Sequence, residues 1–257
     1  MHIWAVANQK GGVGKTTSVV ALAGLLADAG NRVLMMDLDP HGSLTSYFRF
    51  DPDSIEHSAY DLFQVSGKIP VSLPRKLILE TGHPNLSLLP ASTALATLER
   101  HAQAKGGMGL VVSKALAILW EDYDYVLIDS PPVLGVLMIN ALAACQKLII
   151  PVQTEFLAIK GLERMVRTLT MINRARKRPV PYIIVPTLFD RRTQASNKSL
   201  RSLKDTYDEL VCQSVIPIDT KLRDASTAGV APSALDTNAR GVKAYESLMN
   251  TLLNPVD

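Results

Sequence analysis

The chain has 257 residues, an apolar fraction of 47%, and 27 Lys and Arg against 24 Asp and Glu, for a formal net charge of +3. The apolar fraction excludes disorder as the main state, and two cysteines in this length exclude a disulfide scaffold. The length allows one large α/β domain or two small domains.

Short apolar runs and helix-spaced segments alternate along the chain. Continuous apolar runs are typical of strands covered on both faces, and apolar residues three and four apart are typical of helices. In chain order we predict a strand at 2–8, a helix at 16–29, a strand at 33–36, an irregular excursion at 51–84 with a short helix near 58–64, a strand at 86–89, a helix at 107–122, a strand at 125–129, a helix at 135–144, a strand at 147–152, a helix at 155–176, a strand at 182–187, a helix at 193–211, a strand at 214–217 and a helix at 238–253. This alternation predicts an α/β fold with a doubly wound, mostly parallel sheet and helices on both faces. No repeat or linker divides the pattern, so residues 1–257 are expected to form a single domain.

The cellular compartment follows from three further observations. Cys145 and Cys212 lie in apolar stretches, which indicates buried thiols in a reducing cytoplasm. No uncharged apolar run reaches the roughly 18 residues of a membrane-spanning helix. The apolar N-terminal run has no basic leader, so we expect a first strand there and not a signal peptide.

A glycine-rich loop stands between the first predicted strand and the first predicted helix. Residues 10–17 read Lys-Gly-Gly-Val-Gly-Lys-Thr-Thr, in the strand–loop–helix context of a phosphate-binding P-loop. Glycines let backbone N–H groups surround the phosphates, Lys15 adds a point charge, and the Thr16 hydroxyl is placed to bind Mg²⁺. The predicted nucleotide-binding residues of the loop are Gly11, Gly12, Val13, Gly14, Lys15, Thr16 and Thr17.

The loop departs from the usual P-loop pattern at its start. Gln9 occupies the position of the first glycine, and a second lysine, Lys10, opens the loop. This run resembles the deviant Walker A signature of the ParA/MinD class of ATPases. The resemblance implies a P-loop fold, slow ATP hydrolysis with Mg²⁺, and a sandwich homodimer that forms with ATP. It also implies catalytic roles for both lysines, with Lys10 reaching the partner subunit's nucleotide.

The resemblance continues in the segment after the second strand, which reads Asp37-Leu-Asp-Pro-His-Gly-Ser. By position, Asp39 matches the carboxylate that orients the attacking water, and Asp37 is expected to support the magnesium shell. In phosphoryl transfer the protein mainly positions groups and stabilises charge. His41 and Ser43 replace the Gln and Asn that are usual in the family, which leaves the hydrolysis rate and its control open.

A third acidic position follows an apolar strand. Asp129 ends the run Leu-Ile-Asp and precedes Ser-Pro-Pro, which matches the Walker B strand and second switch of the family. Beside a P-loop, this acid is expected to hold a Mg²⁺-bound water. The predicted metal-binding residues are Thr16, Asp37, Asp39 and Asp129.

Recognition of the base is assigned by the resemblance alone. In the family the adenine lies between a strand-end loop and a later segment that contains proline. The corresponding residues here are Pro186, Thr187, Pro217 and Asp219, and Asp224-Ala225 takes the place of the family's Glu-Ala pair. The preference for ATP over GTP rests on the same resemblance.

Positive charge is concentrated in one part of the chain. Residues 160–204 carry twelve Lys and Arg against two acids, a net +10, whereas the remaining residues sum to −7. A one-sided field of this kind suits a polyanion, and DNA-segregating relatives bind DNA without sequence preference through this part. The alternatives are an acidic protein partner or a solvated basic surface. The candidate DNA-binding residues are Arg191, Arg192, Lys198, Arg201, Lys204, Lys221 and Arg223.

Two relatives with other functions provide alternatives. The MinD branch docks on lipid through a basic amphipathic C-terminal helix. Here the last helix has only Arg240 and Lys243 as cations, and its apolar residues are expected in the core. The nitrogenase iron protein needs a cysteine soon after the Walker B acid, and residues 130–135 contain none.

Taken together, these residues predict a positioning or segregation ATPase of the ParA type. The expected cargo is a chemosensory array, as in the ParC-type proteins that this sequence resembles most, or a plasmid or chromosome. A protein partner would couple the ATPase to its cargo, in a bacterial cytoplasm, on the nucleoid or at a pole. A MinD-like membrane-associated ATPase and a regulatory ATPase that acts only through protein partners remain the alternatives, and stable membrane insertion is not expected.

Overall fold

The computed structural model describes residues 1–101, 108–174, 176 and 178–254. In this part of the chain the strands form one sheet of the order β3-β4-β2-β5-β1-β6-β7. All pairings are parallel except that of β3 with β4. The strands are β1 (His2–Val6), β2 (Val33–Asp37), β3 (Leu79–Glu80), β4 (Leu86–Leu89), β5 (Tyr125–Asp129), β6 (Lys147–Gln153) and β7 (Tyr182–Thr187). The prediction of a doubly wound, mostly parallel sheet is therefore confirmed.

Helices cover both faces of the sheet. They are α1 (Lys15–Asp28), α2 (Ser43–Tyr47), α3 (Ala59–Gln64), α4 (Leu73–Lys76), α5 (Leu95–His101), α6 (Val111–Ile118), α7 (Val136–Ala144), α8 (Phe156–Arg174), α9 (Gln194–Tyr207), α10 (Thr220–Ala228), α11 (Pro232–Leu235) and α12 (Arg240–Leu253). Successive side chains of one strand enter opposite core layers, Leu34 among those of α6, α7 and α8, and Met35 among those of α1 and α12. This explains why the strands are continuous apolar runs.

The predicted position of the last helix in the core is confirmed. Val242, Tyr245, Leu248 and Leu252 are all buried against α1 and its neighbours. The apolar face of α12 is therefore packed within the protein, which removes the amphipathic face that a lipid-docking helix would present.

Several predicted elements need correction. The strand predicted at 214–217 is not part of the sheet. Its only bridge among the described residues joins Pro217 to Phe189, beyond the end of β7, and Pro217 has no N–H with which to extend the pairing. The helix predicted at 107–122 is a 3₁₀ turn followed by the shorter α6, and residue 107 lies outside the described residues. Residue 175 of the helix predicted at 155–176 also lies outside them, and α8 ends at Arg174. That all 257 residues form a single domain stays a prediction.

The sequence analysis also missed some elements. The helices α2, α5, α10 and α11 were not predicted, nor were α4 and β3 within the irregular excursion. Three of these helices have only four or five residues, too few for a periodic apolar pattern.

The strand register brings acidic residues to one edge of the sheet. Asp129 lies opposite Val6 on one side and opposite Asp37 on the other. Because β1, β5 and β2 run parallel, their carboxyl ends meet at this edge, where ligands bind in open α/β sheets. The P-loop follows β1 at the same edge.

Candidate nucleotide site

The P-loop has the backbone geometry of an anion cradle. Gly12 and Gly14 adopt left-handed conformations, with φ of 73° and 89°, which glycine reaches without a steric penalty. Gly14 caps the start of α1 without a side-chain hydrogen bond, so the first N–H groups of the helix face the loop without a capping side chain. A helix N-terminus of this kind attracts phosphate.

The loop is held in place by residues from distant strands. The Thr187 hydroxyl donates a hydrogen bond of 2.8 Å to the Val13 carbonyl. The Asn8 amide donates to the Pro151 carbonyl at 2.8 Å, and its oxygen accepts from the Lys10 N–H at 3.0 Å. These contacts fix the loop before any ligand is bound. Asn8 was not predicted from the sequence, because the partner that links it to the sheet, Pro151, lies far along the chain.

Asp129 lies at the centre of the acidic edge. It is 1% exposed, and one of its oxygens accepts a 2.6 Å hydrogen bond from the Thr16 hydroxyl. The other oxygen, Oδ1, is buried and has no hydrogen-bond partner among the described residues. Burial and the neighbouring Asp37 raise the pKa of Asp129 to about 8, although the Thr16 hydrogen bond and the Lys15 charge act in the opposite direction.

Asp37 is the second buried carboxylate of this edge. Its Oδ2 accepts from both the N–H and the hydroxyl of Thr45, at 2.9 and 2.8 Å, and its Oδ1 accepts from the Asp39 N–H. Burial raises the pKa of Asp37 to about 6, and these hydrogen bonds oppose the rise. Thr45 belongs to α2, so this short helix is part of the site although sequence reasoning did not assign it.

Asp39 lies beside the histidine that replaces the usual glutamine. Its Oδ1 accepts from the His41 N–H at 3.0 Å and lies 2.8 Å from His41 Nδ1. The Asp39 side chain is 12% exposed, whereas that of His41 is 80% exposed. The substituted histidine therefore orients the carboxylate that the sequence analysis predicts to position water.

The donor set of this edge fits a magnesium ion. No group of three or more His, Cys, Asp and Glu that would enclose a metal occurs in the described part of the chain. Mg²⁺ prefers few protein oxygens together with water and phosphate, and the Thr16 hydroxyl beside the unpaired Oδ1 of Asp129 offers such oxygens. The arrangement matches an ion that is completed by a nucleotide.

A cavity of about 340 Å³ lies beside the P-loop, where a base would be expected. Of the predicted base contacts, Thr187, Pro217 and Asp219 line this cavity, whereas Pro186 is buried in β7 and does not. The lining residues are Gly14, Thr17, Thr187, Leu188, Ile216, Pro217, Ile218, Asp219, Leu222, Arg223, Ser226, Thr227 and Tyr245.

The Asp219 carboxylate has a structural role at this cavity. One oxygen accepts from the Lys221 N–H at 3.0 Å and caps α10, and the other accepts from the Gly241 N–H at 2.8 Å in α12. The side chain thus joins two helix starts. Asp224, which replaces the family's glutamate, is exposed, and the adjacent Ala225 is buried.

The second loop lysine has a partner within its own chain. Lys10 forms an ion pair with Glu155, the residue before α8. Lys10 and Glu155 are 28% and 42% exposed, so the pair lies at the rim of the site. The sequence analysis did not identify Glu155.

Apolar side chains flank the site on both sides. Val133 and Leu134 follow β5, and Phe156 and Leu157 begin α8 after β6, so that the P-loop of β1 lies between them. All four are exposed, with Phe156 the most exposed at 70%.

Some charges of the basic region are engaged in contacts within the chain. Arg176 donates to the carbonyls of Leu142, Ala143 and Cys145, so it caps the end of α7. Lys160 pairs with Glu163, and Lys177 lies outside the described residues.

The candidate DNA-binding residues lie near the surface. Six of them are exposed and the seventh, Lys204, is half-buried. Arg192 pairs with Asp190 and lowers the pKa of that carboxyl to about 2. Arg191 and Arg192 line a cavity of about 620 Å³ together with Arg240, a cation that sequence reasoning had not assigned to this surface.

None of the described helices is both long enough and apolar enough to cross a lipid bilayer.

Comparison with known proteins gives consistent matches along the chain. The profile of the AAA_31 family, described as an AAA domain, matches residues 1–180. The sporulation initiation inhibitor protein Soj of Bacillus subtilis is 33% identical over 247 residues, with 96% of each chain covered. The chromosome partitioning protein ParA of Caulobacter vibrioides is 31% identical over 260 residues, covering 99% of this chain and 94% of that protein. The structure of cobyrinic acid a,c-diamide synthase of Mycobacterium smegmatis with a bound ATP analogue and magnesium is 34% identical and has a TM-score of 0.82, covering 98% of this chain and 94% of that one.

Proposed function

Because the chain belongs to the ParA/MinD family of P-loop ATPases, we propose that it is a switch that pairs with a second copy when ATP binds and then holds DNA. The chain is an ATP hydrolase of this family, with ATP and Mg²⁺ as its cofactors. The observation that carries the proposal is Lys10, a second lysine at the rim of a complete P-loop. If Lys10 contacted only the nucleotide bound by its own chain, it would repeat the role of Lys15.

Each residue of the site has a distinct part in hydrolysis. The P-loop N–H groups and Lys15 bind the phosphates, and Thr16 and Asp129 would hold Mg²⁺, which supplies charge neutralisation on the phosphate oxygens. Asp39 orients the attacking water, with its own orientation set by His41. Asp37 supports this arrangement from its fixed position against Thr45.

Pairing of two chains would bury the apolar flanks of the site. Val133, Leu134, Phe156 and Leu157 surround the nucleotide edge, and their burial would favour association. Lys10 must leave Glu155 to reach a nucleotide on the other chain. ATP would supply the negative charge that competes with Glu155 for this lysine.

DNA binding is assigned to the basic surface of α9 and its neighbours. Lys198 and Arg201 are exposed on one side of α9, whereas Ser199 and Leu203 face the core. Neighbouring Arg191 and Arg192 extend this charge. A dimer doubles the number of phosphate contacts, so affinity for DNA rises steeply on pairing and falls with salt.

The cargo of the ATPase depends on the protein partner that couples the two. The names of the Soj and ParA relatives refer to sporulation and chromosome partitioning. We propose a chromosome or plasmid, or a chemosensory array carried on the nucleoid, as the cargo of this chain. In both cases a protein partner would stimulate hydrolysis and release the DNA.

The experiment is DNA retention with ATP and Mg²⁺ across a series of salt concentrations. The wild-type protein should shift a non-specific duplex with ATP, less with ADP, and less as salt rises. Arg191→Glu combined with Arg192→Glu should abolish the shift and keep ATP-driven dimerisation.

The matched control reverses two exposed lysines of the excursion, Lys68→Glu with Lys76→Glu, for the same change in net charge. This control should retain DNA. If the wild-type protein gives no salt-sensitive shift, the DNA assignment is wrong. If both double variants lose DNA equally, only the total charge matters and the surface is not the site. Flotation with anionic vesicles in the same series would reveal a membrane-docking switch instead.

A further inference from the structure

Hydrogen bonds join the C-terminal end of α2 to the segment 227–231. This segment borders the cavity beside the P-loop, here called the base cavity. The Tyr47 hydroxyl donates a 3.0 Å hydrogen bond to the Val230 carbonyl, and the Arg49 guanidinium donates to the Thr227 carbonyl. Tyr47 is buried, so its bond is shielded from water. More than 170 residues of chain separate the two sides of these contacts.

The same segment borders the base cavity. Ser226 and Thr227, near the end of α10, line the cavity beside the P-loop. Ala231 is pressed against α1, because a methyl group placed on Gly24 would lie 2.6 Å from the Ala231 Cβ. The segment 227–231 therefore lies between the base cavity, the P-loop helix and α2, with little room to move independently.

At its other side, α2 contacts an acidic residue of the nucleotide site. Thr45 on α2 donates two hydrogen bonds to the buried Asp37, and the Asp37 carboxylate in turn accepts from the Asp39 N–H. Since α2 has only five residues, a shift at Tyr47 must also move Thr45. The base cavity and the two carboxylates are thus joined by one short helix.

The backbone at the junction is strained where the contact is made. Arg49 adopts φ of 69°, a left-handed conformation that is uncommon for residues other than glycine. A Cβ on the facing Gly229 would lie 3.0 Å from Arg49 Nε and 3.3 Å from the Tyr47 carbonyl. A glycine at position 229 allows this close approach, and strain of this kind persists where the surrounding contacts enforce it.

From these contacts we infer that Tyr47 and Arg49 are positioning residues that make ATP hydrolysis depend on the occupant of the base cavity. A purine that fills the cavity fixes the segment 227–231, and the segment then fixes α2 and the carboxylates. A nucleotide with a smaller base binds through its phosphates but leaves the segment less constrained. This inference rests on the proposed function, in which the cavity holds the base and Asp39 orients water.

The test compares kcat, KM and the Kd of the nucleotide for ATP and CTP. Wild-type protein should show a kcat for ATP at least about fivefold above that for CTP, the size expected when one or two hydrogen-bonded contacts position the reacting groups. Arg49→Gly keeps the left-handed backbone available and removes the side chain that forms the tether. It should lower the kcat for ATP toward that for CTP and change the Kd for ATP by less than about threefold. Tyr47→Phe should act in the same direction with a smaller effect.

Tyr60→Phe, which removes a hydroxyl from the half-buried Tyr60 of α3, is the matched control and should leave both rates unchanged. The inference is overturned if wild-type kcat is the same for ATP and CTP, if Arg49→Gly keeps the wild-type kcat for ATP, or if it lowers both rates by the same factor. A wild-type protein that binds no ATP or hydrolyses none would instead contradict the proposed function. Melting temperatures of all variants establish that the comparison is made on folded protein.

Discussion

The acidic edge of the sheet and the basic surface of α9 contrast in how their residues are held. Asp37 and Asp129 are buried, lie opposite each other in the strand register, and accept hydrogen bonds at 2.6–3.1 Å. Lys198 and Arg201 are exposed. The first region depends on a fixed geometry, so each change there should affect the whole switch. The second depends on how many exposed charges this surface presents, so single changes there should be small and nearly additive.

The largest effect is expected from Lys15→Ala in the fixed region. Lys15 is buried, and loss of its charge leaves the phosphates without their point charge, which should weaken ATP binding by about 2–5 kcal/mol. Titration with a fluorescent ATP analogue measures this loss, with the exposed Lys76→Ala as the control. Normal ATP affinity in the Lys15 variant would contradict the P-loop assignment.

Asp39→Ala should separate binding from hydrolysis within the same region. The variant keeps the P-loop together with Thr16 and Asp129, which are proposed to hold Mg²⁺, so ATP should still bind, while kcat falls by about 100-fold because the water is no longer oriented. Size-exclusion chromatography with ATP should then show a persistent dimer. Asp53→Ala, which removes an exposed acid from the excursion, should behave as wild type. A monomeric Asp39 variant with ATP would show that the residue has another role.

Asp129→Asn should increase the stability of the nucleotide-free protein. The pKa of Asp129 is raised to about 8 by burial and by Asp37, so the native state binds its proton more tightly than the unfolded chain does. The stability from this proton is fully present below about pH 4 and is lost as the pH rises toward 8. The variant does not titrate, so near pH 8 its free energy of unfolding should exceed that of the wild type by about 1 kcal/mol or more.

Denaturant unfolding at pH 5 and pH 8 checks this prediction, because the advantage of Asp129→Asn should be larger at pH 8. An advantage that shrinks as the pH rises would show that Asp129 is not destabilised by its surroundings. With Mg²⁺ and ATP the wild type should become the more stable protein. The bound ligand stabilises the wild type, whereas the variant lacks the full carboxylate that would help to hold Mg²⁺.

The smallest effect is expected from Lys198→Ala in the basic surface. One lost phosphate contact should weaken DNA binding a few-fold and reduce the slope of log K against log salt by about 1. Retention measured over a salt series gives the slope, and Lys76→Ala again serves as the control. A loss as large as that from Lys15→Ala would mean that the two regions do not differ as described.

The same contrast explains how much could be predicted from the sequence. The P-loop and the strand ends at Asp37 and Asp129 were identified because each is a local pattern of a few adjacent residues. Thr45 and Glu155 were not, because their partners Asp37 and Lys10 are reached only through tertiary packing.

Two further interpretations overlooked what a single residue does in its local sequence context. Asp219 is predicted to contact the base and lines the cavity beside the P-loop, and its carboxylate also caps two helices whose starts lie 20 residues apart in the chain. Its position just before α10 is a helix N-cap signature that was available in the sequence. The run at 214–217 is apolar enough for a strand, yet the proline at its end limits it to a single bridge.

The way the sheet ends at both sides limits how copies of this chain can assemble. On one side the outermost strand is the two-residue antiparallel β3. On the other, the outer edge of β7 is occupied by backbone hydrogen bonds from Cys212 and Ile216. Within the described residues, neither side offers a long unpaired strand as a template for a neighbouring molecule. Growth by strand addition, which leads to open fibres, is therefore disfavoured, and the proposed association through the nucleotide face would give a closed pair that ends after two copies.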